Sequence, residues 1–104
     1  MPDWIRVASL DECPPGSLLG VEAEGRRIVL ANVDGDVYAL LDRCSHQDYP
    51  LSHGELAGTR LECLYHGARF DVCTGRAVQL PAIRPVTTFE VDVRDGEVYV
   101  RTGD

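Results

Sequence analysis

The amino-acid sequence predicts an all-β fold, and three observations predict it. Apolar and polar residues alternate over several short runs, acid–glycine pairs suited to tight hairpins separate some of those runs, and no stretch holds a 3.6-residue period long enough for a major helix. The implied architecture is a small antiparallel β-sandwich scaffold from residues 1–42 and 83–104. A lobe of different character, residues 43–82, is inserted between its halves. At 104 residues the whole chain is expected to be one domain, a size at which a single core is usual.

In chain order, Trp4 to Ala8 alternates and reads as a strand. Ser9-Leu-Asp-Glu12 has the form of a capping box, so one helical turn is expected before Pro14-Pro15-Gly16 stops it. Ser17 to Ala23 and Arg27 to Val33 are strand-like runs joined at Glu24-Gly25-Arg26. Asp34-Gly35 is a hairpin signal, because a type I′ turn needs positive φ at both central residues, and Val37 to Leu41 completes a meander. Within 43–82 Gly, His and Cys become frequent and the runs shorten; Arg60 to Leu64 and Ala68 to Val72 are the strands expected there. After Pro81 and Pro85, Thr87 to Val93 alternates, and Asp95-Gly96 turns the chain into Val98-Tyr99-Val100. Trp4 is expected in the scaffold core.

Charge excludes one class of partner. Seventeen acidic residues against ten basic ones, all arginine, give a net charge of −7. Such a chain has no electrostatic footprint for a phosphate backbone, so nucleic acid is not its ligand. The charge is uneven: residues 44–79 hold four acids and three arginines, net −1, and the flanks thirteen acids and seven arginines, net −6. The lobe is nearly neutral and the scaffold carries the negative field, which serves solubility or steers the protein toward a basic surface. Met1-Pro-Asp-Trp-Ile-Arg6 lacks the basic start and apolar run of a leader, and no apolar stretch reaches the length of a membrane span. The expectation is a cytoplasmic monomer with no membrane partner and with reduced thiols.

The chemistry is concentrated in Cys44-Ser-His46 and Cys63-Leu-Tyr-His66, which are separated by residues 47–62. Thiolate sulfur and neutral imidazole nitrogen are donors for iron and zinc. Two Cys and two His at C-x-H and C-x-x-H spacing are the ligand set of a Rieske 2Fe–2S centre, in which two histidines replace two cysteines on one iron. A structural Cys2His2 zinc site is the alternative, although such sites usually pair Cys with Cys and His with His. Each pair here mixes a sulfur with a nitrogen, which suits a two-metal cluster held between two loops. Cys13 and Cys73 are left over; Cys13, beside Pro14-Pro15, reads as a loop residue without redox consequence, and Cys73 as a half-buried small side chain. His53 reads as an exposed loop residue.

Over these residues the chain resembles Rieske-type ferredoxins, specifically the small ferredoxins of multicomponent aromatic-ring-hydroxylating dioxygenases. Cys44-Ser-His46-Gln-Asp-Tyr-Pro-Leu-Ser-His-Gly54 is similar to their first cluster loop. Glu62-Cys63-Leu-Tyr-His66-Gly67-Ala-Arg-Phe70-Asp71, followed by Thr74-Gly75, is similar to the second, and Leu80-Pro81-Ala82 to the proline loop that covers the cluster. The resemblance implies a single Rieske domain over residues 1–104 with a cluster-binding subregion at 43–82. It also implies that Cys44 and Cys63 hold the inner iron and His46 and His66 the outer, more exposed iron. Gly54, Gly67 and Gly75 could aim backbone N–H groups at the bridging sulfurs, and such bonds tune the potential of a cluster.

Departures from the high-potential branch of the family are informative too. That branch carries an extra cysteine in each loop, forming a disulfide, where this chain has Tyr49 and Tyr65. It also sets a serine and a tyrosine hydroxyl against the cluster sulfurs, where this chain has Ala68 and Phe70. Without those donors the reduced state is less stabilised, which points to the low end of the span from about −150 to +300 mV.

With three histidines, 46, 53 and 66, a cluster that takes two leaves too few for a two-histidine oxygenase iron. No dinucleotide or Walker fingerprint is present either. The resemblance therefore implies an electron carrier, not an enzyme, that passes single electrons from a flavin-dependent NAD(P)H reductase to a terminal oxygenase. Tyr49, Pro50, Leu51, Leu64, Tyr65 and Pro81 are expected to form an apolar sleeve that keeps water from the cluster, either as its sole role or with a second one as a docking patch. The rival readings are the small Rieske-like subunit of an assimilatory nitrite reductase, many of which lack the ligands, a zinc-stabilised interaction module, and a redox-sensing regulator.

Overall fold

A computed structural model of the chain describes residues 4–43, 50–64, 67–79 and 85–102. Among the described residues ten strands run in order: β1 (Trp4–Ser9), β2 (Leu18–Ala23), β3 (Arg26–Val33), β4 (Asp36–Leu41), β5 (Glu55–Ala57), β6 (Arg60–Glu62), β7 (Arg69–Asp71), β8 (Ala77–Gln79), β9 (Thr88–Arg94) and β10 (Glu97–Arg101). They form two antiparallel sheets, β1-β10-β9-β4-β3-β2 and β5-β6-β7-β8. Strand β9 pairs with β4 through Thr88 and Phe89 and with β10 from Glu90 to Arg94, so it is the corner over which the larger sheet folds on itself. Among the described residues no helix is long and apolar enough to cross a membrane.

The hairpins follow from backbone sterics. Among the described residues, the non-glycine ones with positive φ are Glu24, Asp34 and Asp95, each followed by a glycine that is also positive. This is the type I′ pattern, whose twist matches that of the flanking strands. The turn at Glu24-Gly25 thus has the same construction as the two acid–glycine turns legible in the sequence. The expected capping box is present: Glu12 accepts the Ser9 N–H at 2.9 Å over a single 3-10 turn, Leu10–Glu12. Buried Asn32 then secures the Pro14-Pro15-Gly16 segment, donating to the Cys13 carbonyl and accepting from Gly35 N–H, both at 2.7 Å.

Strand β3 organises the interior because it is buried on both faces. Ile28 and Leu30 point into a scaffold core with Ala8, Ala23, Ala39, Val98 and Val100. Val29 and Ala31 point the other way, into a second core with Leu40, Leu51, Leu61, Phe70 and Val72. The inserted lobe is thereby packed on the outer face of the scaffold, and the unbroken apolar run Ile28-Val-Leu-Ala31 is the sequence trace of that double burial.

Four expectations need correction. Strand β6 ends at Glu62 instead of continuing to Leu64. Strands β5 and β8 and a 3-10 turn at Leu51–His53 were not expected; three residues are too few to display a period. Cys73 is exposed instead of half-buried, while Cys13 is the loop residue expected, between the 3-10 turn Leu10–Glu12 and β2, and is fully buried. Trp4 is half-buried at the start of β1 with the Arg101 guanidinium 4.6 Å above its ring, so it flanks the core.

Candidate metal centre

The second ligand loop grows out of the β6–β7 hairpin. Leu61 and Phe70 face each other across it and are fully buried, which fixes the register. Directly after β6, the Cys63 N–H donates to the Ala68 carbonyl at 2.7 Å, and the Cys63 carbonyl accepts from Gly67 N–H at 3.0 Å. Gly67 has φ +72, a conformation open to glycine. Cys63 is 1% exposed and packs in the lobe core with Leu51, Leu61, Ala68 and Phe70. Leu64, the next residue, is 60% exposed. One peptide carries the chain from core to surface.

These surroundings decide what the Cys63 sulfur can be. A thiolate among aliphatic side chains is strongly disfavoured unless a cation neutralises it, and a metal does so. A buried cysteine at this place therefore fits the donor set expected for an iron–sulfur cluster. Cys44, His46 and His66 lie outside the described residues, as do Tyr49, Tyr65 and the proline loop Leu80-Pro81-Ala82, so the structure places one of the four expected ligands.

Neighbouring elements hold both loops. Residues 44–49 follow Arg43, and the chain is described again from Pro50 into the 3-10 turn Leu51–His53. Leu51 is fully buried in the lobe core with Cys63, so it can exclude water but offers no docking surface; His53 is exposed, as expected. Gly54 lies so close to the second loop that a Cβ there would sit 2.0 Å from the Glu62 carbonyl oxygen. Gly75 stands in the same relation to Val86, at 2.1 Å, and its carbonyl accepts the Val86 N–H at 2.7 Å. The N–H groups of Gly54 and Gly75 donate to the Leu51 and Asp71 carbonyls. Close backbone approach, not donation to sulfur, is what those two glycines provide. Gly67 is the one whose N–H bonds to Cys63, through the Cys63 carbonyl.

Electrostatics around Cys63 are mixed. Glu55 and Glu62 sit opposite each other across β5–β6, and Arg69 reaches Glu62 at 3.5 Å from the other side. With Cys63 and Leu64, the two glutamates line a cleft of about 150 Å³. Asp42, Ser52 and Gly20, which have no place among the sequence-predicted site residues, meet one another between strand β2, the end of β4 and the turn at Leu51–His53. No local pattern marks such a contact, since it joins three separate segments.

Two cysteines stand apart from the centre. Cys13 Sγ lies 3.7 Å from the Ser17 carbonyl and 3.8 Å from that of Leu30, and burial raises its thiol above the ordinary value. Cys73 interacts with the Tyr38 hydroxyl, and that hydrogen bond raises the phenol.

The chain belongs to the Rieske [2Fe-2S] domain family, whose model matches residues 3–90. It is similar to the ferredoxin component of the naphthalene 1,2-dioxygenase/salicylate 5-hydroxylase systems of Ralstonia sp., 37% identical over 99 residues and 95% of each chain. Its structure is similar to the ferredoxin of carbazole 1,9a-dioxygenase from Nocardioides aromaticivorans IC177, with a TM-score of 0.92 at 32% identity, covering 96% of this chain and 98% of that one. It also matches a chain in the complex of reduced oxygenase and oxidized ferredoxin of carbazole 1,9a-dioxygenase, with a TM-score of 0.89 at 37% identity, covering 95% and 93%. The cofactor is thus a Rieske-type 2Fe–2S cluster, and the protein is an electron carrier of the ferredoxin kind.

Proposed function

We propose that Cys44 and Cys63 ligate the inner iron and His46 and His66 the outer iron, in a cytoplasmic carrier for a multicomponent aromatic-ring-hydroxylating oxygenase. In this reading a flavin-dependent NAD(P)H reductase is the donor and the terminal oxygenase the acceptor. The observation that carries it is Cys63: a cysteine 1% exposed in an aliphatic core, one residue from the surface, at the position the motif assigns to a ligand. The kinship with ferredoxin components of dioxygenase systems supports the choice of partners. Residues 1–104 are read as one Rieske domain, scaffold 1–42 and 83–104 with cluster-binding subregion 43–82, and the double burial of β3 between the two sheets supports that division.

When bound, the cluster supplies one-electron redox chemistry. The chain's own residues exclude water and offer a contact face. Leu51, Leu61, Ala68 and Phe70 shut water out around Cys63. Leu64 presents an exposed apolar contact beside it, with Glu55 and Glu62 ready to meet a basic group of a partner. Ala68 and Phe70 bring no hydroxyl to the site, which favours a low potential.

The test is spectroscopic and functional. The purified protein is expected to show a rhombic EPR signal on reduction, and His66→Ala to abolish both that signal and the visible colour. An unchanged spectrum in His66→Ala would refute the ligand set. Hydroxylation of an aromatic substrate by reductase and oxygenase alone, without this protein, would refute the carrier role.

A further inference from the structure

We propose that Asp42 and Ser52 form a clamp that closes the first ligand loop, which makes Asp42 a positioning residue for Cys44 and His46. This rests on the reading of those two residues as ligands. Asp42 ends the β3–β4 ladder: its N–H donates to the Arg27 carbonyl at 2.9 Å, and its side chain is buried at 5% exposure. Both carboxylate oxygens engage one residue. Oδ1 accepts the Ser52 N–H at 2.7 Å and Oδ2 accepts the Ser52 hydroxyl at 2.6 Å. Asp42 stands two residues before Cys44 and Ser52 three residues after Tyr49, so the pair ties together the ends of the segment that carries the first thiolate and imidazole.

A buried carboxylate could serve only to pin β4 to a surface turn. Two further observations assign it to the ligand loop. Strand β2 has glycine at position 20, where a Cβ would sit 3.0 Å from Ser52 Oγ and 3.3 Å from Asp42 Oδ2. Glycine weakens a strand interior, and its presence there fits the close approach of another group. Secondly, the turn that Ser52 belongs to is fixed on its other sides as well, with Leu51 in the lobe core and Gly54 against the Glu62 carbonyl next to Cys63. The clamp therefore joins both ends of the first loop to a turn that abuts Glu62, and in this proposal that connection sets the spacing of the two iron-binding pairs. Charge-assisted bonds of this length are the strong kind.

The experiment challenges holoprotein with an iron chelator, follows bleaching of the visible bands, and records the reduced EPR line shape and far-UV circular dichroism. Asp42→Ala is expected to bleach about tenfold faster than wild type, from the loss of two hydrogen bonds to a charged acceptor, with a broadened EPR signal and an unchanged far-UV spectrum. Asp42→Asn should recover most of the wild-type rate, because its amide can accept from Ser52 N–H and donate to Ser52 Oγ. Ser52→Ala, which keeps the main-chain bond, should fall between, and Asp42→Ala with Ser52→Ala should be no faster than Asp42→Ala alone. Wild-type bleaching and line shape in Asp42→Ala, or full additivity in the double variant, would overturn the clamp. Should Asp42→Ala fail to fold, Ser52→Ala and Gly20→Ala decide: both must bleach faster than wild type, and wild-type behaviour in both overturns it. His46→Ala separates the two ideas. If it keeps the native signal the ligand reading fails; if it loses the signal while Asp42→Ala behaves as wild type, the clamp alone fails.

Discussion

Cys13 and Cys73 show how far the surroundings of a single residue set its chemistry. Desolvation is the main cause that raises the Cys13 thiol above its ordinary 9.0, partly opposed by the Ser17 hydroxyl and a backbone bond at Asn32. The folded state then holds the proton more tightly than the unfolded one, so this contribution to stability is complete below about pH 9 and declines as pH rises through the folded value. Alkylation of native protein with iodoacetamide, read by mass spectrometry, should label exposed Cys73 and spare Cys13 until denaturant is added. Labelling of Cys13 in the native fold would contradict its placement. A second prediction concerns Ala68, fully buried beside Cys63. Ala68→Ser should raise the reduction potential by on the order of 50 mV, because one hydrogen bond to the reduced cluster corresponds to about a tenfold change in a one-electron equilibrium. Voltammetry that finds no rise would remove the missing-hydroxyl explanation of a low potential.

Among elements, the turns divide into two kinds that a substitution series can separate. Glu24 sits at φ 53 in the β2–β3 turn, a conformation that asparagine tolerates better than glutamate. Glu24→Asn should stabilise by about 0.5 kcal/mol, and raise Tm by about 2–4 °C for a domain of this size. Gly25, in the same turn, has open space around a notional Cβ, so Gly25→Ala costs only backbone strain, about 1 kcal/mol. Gly54 is different. A Cβ 2.0 Å from the Glu62 carbonyl forces two main chains apart, and Gly54→Ala should cost about 2–4 kcal/mol and reduce cluster loading. Equal losses in Gly25→Ala and Gly54→Ala, measured by thermal denaturation and iron content, would show that the close approach carries no weight. The exposed pairs Arg6–Glu97 and Arg101–Glu90 decorate the scaffold surface and contribute little beside such backbone contacts.

For the molecule as a whole, the division of charge governs association. Residues 44–79 carry −1 and the rest of the chain −6, so a partner that meets the lobe meets a nearly neutral surface within the negative field of the scaffold. Electron transfer from the reductase should therefore weaken only moderately with salt; a hundredfold or greater fall between low and physiological ionic strength would contradict this. The sequence by itself determined the hairpin rhythm and the all-β class and proposes the donor set, because each is written in neighbours: an acid before a glycine, an alternation of period two, a Cys and a His two or three residues apart. Only the tertiary structure decided that Cys13 is core and Cys73 surface, that Leu51 is interior while Leu64 is exposed, and that Asp42 meets Ser52 over Gly20. Those outcomes depend on which distant segments come to lie against one another. The double burial of β3 arranges that packing, and the three-residue strands of the lobe are too short to announce it.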